Sequence, residues 1–225
     1  MRKIFFILAL VSIFACEKDD MQKLSDNTPN DAKENYFPLT LGNYWVYEDY
    51  HIDSLNQEQK LDFIDSIAVS RDTLIHGEKF YILSGIRELP GSDKLVDIAI
   101  LRDSMGYLID QKGVIRFSNS NFNDILHTWI ELTSNNDTLL KVTYMMVEHS
   151  DSLEILNNKY KILNYQGDVT VYNSTTNDIR YKGYTNNYYA NNIGVVYESF
   201  FWVYGHGLYK DYYERRLKRY NVYLE

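Results

Sequence analysis

From residue 36 onward, apolar and polar side chains alternate at a spacing of two, in short runs bounded by Gly, Asn or Asp. That period sends successive side chains to opposite faces of an extended chain, so these runs predict strands with one face in a core. "DSIAVSRDTLI" and "EKFYILSG" flank His76-Gly77, whose Gly accepts positive φ, and the pair reads as a hairpin. "KVTYMMVEHSDSLEIL" and "KYKILNYQGDVTVY" flank Asn157-Asn158 in the same way, and "GYLIDQKGVIRF" turns at Gln111-Lys112-Gly113. Helical spacing is not sustained over three turns anywhere in this region. Only around Asn123 to Leu132 does it admit a short helix, without requiring one. The expected fold is therefore mainly β, an antiparallel meander forming a curved sheet, half-barrel or sandwich. Two similar halves are part of that expectation. "DTLIHGEKFYIL" from Asp72 aligns with "DSLEILNNKYKIL" from Asp151 with one insertion, and "YLIDQKGVI" from Tyr107 aligns with "YYANNIGVV" from Tyr188 at nearly the same offset.

The first residues follow another pattern. Arg2 and Lys3 precede an uncharged apolar run from Ile4 to Phe14, too short to cross a hydrocarbon core of ~30 Å as a permanent helix and of the length of a secretory h-region. The run ends in Ile13-Phe14-Ala15-Cys16, with a small residue directly before the only cysteine. This arrangement resembles the lipobox of bacterial lipoproteins, with Phe14 bulkier than that motif prefers. The resemblance implies a diacylglycerol on the Cys16 sulfur and cleavage before it. "EKDD" at residues 17–20 resembles the export signal of surface lipoproteins in Bacteroidota and reads equally as a solvated spacer. Residues 1–15 are thus expected to be a signal peptide, 16–35 the lipidated cysteine and a disordered polar tether, and 36–225 a single β-rich domain. The implied address is the outer membrane, on its surface or periplasmic side, with contact to the bilayer through Cys16 alone.

Charge narrows the partners. Removal of residues 1–15 takes two cations with it, leaving 21 basic against 31 acidic residues and a net charge of −10. Such a chain is a poor match for nucleic acid and is disfavoured from lying flat on an anionic leaflet. No second cysteine exists for an intramolecular disulfide, so the core alone must hold the fold. Twenty-one Tyr, ten Phe and three Trp make that core aromatic.

"YFPLTLGNYWVYEDY", from Tyr36 to Tyr50, reads as a strand, a Gly42-Asn43 turn and a second strand with aromatics on both faces. It resembles the "FPL…GN.W.Y" opening of uncharacterised lipoproteins of Bacteroidota, in which a β-rich domain follows the tether. "YYANNIGVVYES" and the closing "YYERRLKRYNVY" are similar to later stretches of the same group. The resemblance implies a fold and an address, and it carries over no catalytic residue.

Candidate chemistry is sparse. His51, His76, His127, His149 and His206 include no pair at metal-ligand spacing, and no G-x-S-x-G elbow or Gly-rich phosphate cradle is present. Asn119, Asn121 and Asn123 alternate as in a calcium loop, but Asp124 stands where that loop needs Gly and Ile130 where it needs Glu. No cofactor or metal is expected. "FFWVYGHGLYKDYYERRLKRY" gathers aromatics around Gly205-His206-Gly207. Trp202, Tyr204, His206 and Tyr209 are the candidate ligand-binding residues, set against the plainer reading that these rings fill the core. Arg215 and Arg219 on one strand face, with Arg216 and Lys218 on the other, read as a solvated edge strand protected by charge. Three function classes follow: a non-catalytic envelope lipoprotein that binds a protein partner, which is favoured; a glycan- or lipid-binding module; and a hydrolase with an unreadable site. A deep apolar cavity would favour a lipid carrier, and an exposed aromatic strip would favour glycan binding.

Overall fold

The computed structural model describes residues 34–86, 95–148, 152–173, 176, 178–204 and 207–224. Residues 34–225 form one compact unit. Strands follow in the order β1 (Tyr44–Ile52), β2 (Glu58–Ile75), β3 (Glu78–Ile86), β4 (Leu95–Ser104), β5 (Tyr107–Asp110), β6 (Ile115–Ser118), β7 (His127–Leu132), β8 (Thr138–Val147), β9 (Ser152–Ile155), β10 (Asn158–Tyr172), β11 (Ile179–Ala190), β12 (Gly194–Tyr204) and β13 (Gly207–Asn221). They form one antiparallel sheet in the order β6-β5-β4-β3-β2-β1-β13-β12-β11-β10-β8-β7, with β9 alongside the first part of β10. The sheet curls until it is nearly closed into a barrel, and the described residues include no helix. The mainly β meander expected from the alternation is the fold observed.

Local chemistry placed most hairpins. His76 and Gly77 both take positive φ (52° and 82°), the pairing that matches the right-handed twist of two joined strands. The next hairpin is displaced by one residue, because Leu156 and Asn157 are the left-handed pair and Asn158 already opens β10. Asn123–Leu132 holds a strand, β7, at its end and no helix. Tyr36–Thr40 is not a strand. Its Pro38 lacks a ladder donor, and the segment packs into the core, with Tyr36 5.5 Å from the Phe117 ring and Phe37 6.0 Å from that of Trp45. The two self-similar alignments each fall on hairpins, β2–β3 with β9–β10 and β5–β6 with β11–β12. One extra strand, β4, separates the first pair of hairpins.

The largest departure concerns β13. It lies between β1 and β12, paired to both, and is a central strand. Arg215 is therefore buried at 5 % exposure, whereas Lys218 and Arg219 remain outside. A charge-protected edge was the wrong explanation for this stripe.

The opening Tyr36–Tyr50 stretch, the β11–β12 turn and the end of β13 meet at one end of the sheet. The Asn43 side chain, fully buried, donates to Pro38 O and Tyr223 O at 3.1 Å each and accepts from Tyr223 N–H at 2.7 Å. Trp45 Nε1–H donates to Ile193 O at 2.6 Å, and the Tyr47 hydroxyl donates to Val195 O at 3.1 Å. Gly194 takes φ +104°, and an added Cβ would lie 3.3 Å from Trp45 Nε1. The Asn192 N–H donates to Asn35 O at 2.7 Å, so the chain enters the domain on the β11–β12 turn.

Candidate functional site

The inward faces of β1–β6 and β11–β13 do not close completely. They leave a cavity of about 400 Å³, within the range of small-molecule sites. Its wall is largely apolar: Phe37, Ile67, Leu83, Leu101, Leu108 and Val195, with the rings of Trp45, Tyr47 and Tyr189. Burial pushes both tyrosine hydroxyls above their ordinary range. Gln111 and Lys112, both exposed, also line the cavity, so it reaches solvent beside the β5–β6 turn.

Two charged clusters bound this space. At the mouth, Asp110 Oδ1 accepts the N–H groups of Lys112 and Val114 at 2.9 Å each, and Oδ2 accepts Arg116 Nε at 3.1 Å and Nη2 at 2.9 Å. Burial acts to raise the Asp110 pKa, but these donors outweigh it and the net shift is downward. With both oxygens occupied, Asp110 shapes the turn and holds Arg116 at the opening. Deeper in, Arg215 Nη1 donates to Asp65 Oδ2 at 2.7 Å and Nη2 to Glu198 Oε2, while its guanidinium carbon lies 4.7 Å from the Tyr47 ring centroid. Strand register explains the grouping: Asp65 pairs with Tyr47 across β2–β1, and Arg215 pairs with Glu198 across β13–β12.

An aromatic row lines the inner side of the other half. Tyr144 pairs with Gly167 across β8–β10, and the missing Cβ gives its ring room, since a Cβ there would lie 2.7 Å from Tyr144 Cε1. The Tyr144 ring stacks on Tyr165 at 4.9 Å and on His127 at 6.0 Å. Burial and then the nearby Arg116 push the His127 pKa down. The hydroxyls of Tyr165 and Tyr189 donate to Ile115 O and Arg116 O, at 2.9 and 3.4 Å. Side chains from β10 and β11 thus satisfy carbonyls of the terminal strand β6 across the barrel.

The outer face of β1 and β13 carries a third ionic cluster. Glu48, 7 % exposed, accepts Lys218 Nζ at 2.6 Å, Lys60 Nζ at 2.7 Å and the Tyr50 hydroxyl at 3.0 Å. Lys218 first, then Lys60, hold its carboxyl at about 2, below the ordinary 4.5, against the opposing effect of burial. A folded-state pKa below the unfolded one gives stability that is complete above the unfolded value and disappears as pH falls through the folded one. Because both lysines are half exposed, Glu48→Gln is expected to cost about 1–2 kcal/mol at pH 7 and close to nothing at pH 2. Urea unfolding at the two pH values checks this. An equal loss at both would assign the effect to packing.

The sequence-derived candidates fare unevenly. The side chains of Trp202, Tyr204 and Tyr209, and His206 altogether, lie outside the described residues, as do Cys16 and His149. Their neighbours Phe200 and Tyr213 stack at 5.6 Å. His51 packs on Tyr213 at 5.2 Å, His76 sits in its hairpin turn, and His127 belongs to the tyrosine stack. The structure does not bring these three together as ligands. Asn121 Oδ1 accepts the N–H groups of Asn123 and Asp124, capping its own loop. Among the described residues no group of three or more His, Cys, Asp or Glu is placed to hold a metal ion. Sequence reasoning missed Arg215, Arg116 and the cavity. Arg215 carried a signal, as a basic residue amid alternating aromatics, but that signal was equally consistent with solvent.

No protein-family model matches the chain, and no curated protein does. Two solved structures are similar to it. One, from Bacteroides fragilis, is described as an exported protein with a YmcC-like fold; it has a TM-score of 0.45 at 12 % identity, covering 82 % of this chain and 98 % of that one. The other, from Parabacteroides distasonis, is described as a lipoprotein; it has a TM-score of 0.43 at 12 % identity, covering 84 % and 99 %.

Proposed function

We propose that the chain is a lipoprotein of the cell envelope, held at the outer membrane through Cys16, whose half-barrel takes a small amphiphilic molecule into its interior. The anchor rests on the lipobox-like end of the apolar run. The binding role rests on one observation, the cavity of about 400 Å³ with a largely apolar wall and a mouth where Lys112 stands beside the Arg116–Asp110 pair. Its apolar walls suit an acyl chain or ring system lying beside the internally paired Arg215 cluster, and Lys112 and Arg116 at the opening suit an anionic or strongly polar head. A fluorescent fatty acid such as cis-parinaric acid tests this. Saturable one-to-one binding is expected, and Ala99→Phe, which fills the wall from β4, should weaken it by about tenfold or more. Absence of saturable binding by the wild-type chain would overturn the reading.

A second reading, protein-partner binding, has its own support. β7 is a terminal strand of the sheet, and its Trp129, Ile130 and Leu132 are 45 %, 50 % and 49 % exposed. Edge strands are commonly blunted by charge or cover, and one this apolar suits addition of a partner strand.

A further inference from the structure

One end of the domain differs in surface chemistry from the rest of an acidic chain. It is the end where β1 starts, β11 turns into β12 and β13 finishes. Residue 35 enters there, held by the Asn192 N–H bond to Asn35 O and by the Asn35 N–H bond to Asn191 Oδ1 at 2.9 Å. Whatever the preceding residues attach to, they reach the domain at this end.

Two features sit beside that entry. The first is a cleft of about 500 Å³ lined by Lys159, Lys218, Arg219, Tyr160, Tyr220 and Ile193, three cations with no carboxylate in the lining. Lys218 is shared with Glu48, and Glu154 lies across from Lys159 on β9. Among the described residues neither Lys159 nor Arg219 lies within ion-pair distance of a carboxylate. Ile193 belongs to the turn on which the entering chain rests, so cleft and entry point adjoin. The second feature is a rim of exposed apolar and aromatic side chains: Leu41 at 48 %, Tyr220 at 43 %, Tyr223 at 59 % and Leu224 at 52 %. The bonds between Asn43 and Tyr223 tie Tyr223 to the turn that carries Leu41.

We propose that this end is a membrane-docking surface, with the cleft receiving lipid phosphates of an anionic leaflet and the rim entering the headgroup layer. The inference rests on the lipid-anchor reading above. Cations beside interfacial aromatics form the pattern that holds proteins at bilayer surfaces. A net charge of −10 on the processed chain repels the other faces from the same leaflet, so charge alone turns this end toward it. Contact need not be strong, because a tethered surface works at an effective concentration of about a millimolar.

The test uses the lipidated protein in vesicles. Cys16 is the only cysteine and is blocked by lipid, so Leu41→Cys and, in the β1–β2 turn at the opposite end, Leu55→Cys each provide a unique thiol for an environment-sensitive dye. In vesicles of phosphatidylethanolamine with phosphatidylglycerol, doxyl-lipid quenching should be about fivefold stronger at 41 than at 55. The contrast should fall away in phosphatidylcholine vesicles and in the Lys159→Glu/Arg219→Glu double variant. Equal quenching at both sites in anionic vesicles would overturn the proposal. Intact mass reports the anchor separately. If Cys16 carries no lipid, the anchor reading falls, and co-sedimentation of the same chain with the anionic vesicles decides the docking. Binding lost in the double variant supports docking, and no binding overturns it.

Discussion

Arg215→Met should destabilise the domain by about 3–5 kcal/mol, because it leaves the buried carboxylate of Asp65 and the partly buried one of Glu198 without their shared cation. Asp65 and Glu198 reach the guanidinium from β2 and β12, and Asp49 lies directly across from Arg215 in the β1–β13 register. The side chain is only 6 % exposed, so solvent cannot take over the pairing. Arg215→Lys keeps the charge and loses both the fork and the stacking on Tyr47, so it should fall between wild type and Met. The triple variant Arg215→Met/Asp65→Asn/Glu198→Gln should recover more than half of the loss, since it removes the orphaned charges together with their partner. Urea unfolding followed by tryptophan fluorescence measures all three. A loss below about 1 kcal/mol for Arg215→Met would mean that water reaches the cluster from the cavity and that the interior is wetter than its apolar wall implies.

This cluster also marks where the sequence stops being informative. A hairpin is specified within a dozen residues, so His76-Gly77 and the turn ending at Gly113 were legible, and the Asn157-Asn158 turn missed by one residue because Leu156, a residue type that seldom takes positive φ, takes it here. Whether a strand is central or terminal depends on closure between distant segments. β13 becomes central only because β1, more than 150 residues earlier, pairs along its outer side. Nothing local distinguishes an Arg that faces solvent from one that faces a carboxylate on the far strand. The same reason hid the cavity, whose walls come from β1–β6 and β11–β13. Tyr36–Thr40 failed differently: its residues have strand propensity, but Pro38 and the Asn43 side chain give the backbone another arrangement.

Trp45→Ala should cost about 3–5 kcal/mol through lost burial and cavity formation, and Trp45→Phe about 1–2 kcal/mol through loss of the indole donor. Trp45 is 2 % exposed, and its Nε1–H bond to Ile193 O fixes the turn on which the chain enters the domain. The two variants separate ring packing from that bond. Differential scanning calorimetry gives the stability, and hydrogen exchange at Val195 and Val196 reports the turn. Phe should loosen the turn while leaving most of the global stability, and Ala should lower both. If Phe leaves exchange unchanged, the bond does not hold the turn, and the close fit of Gly194 against the ring carries it instead. Under either outcome the opening stretch earns its distinctiveness from inside the fold. Asn43, Trp45 and Tyr47 are all buried and spent on closing one end of the sheet, so this opening is scaffold, and tests of the proposed binding belong at the cavity mouth and the exposed rim.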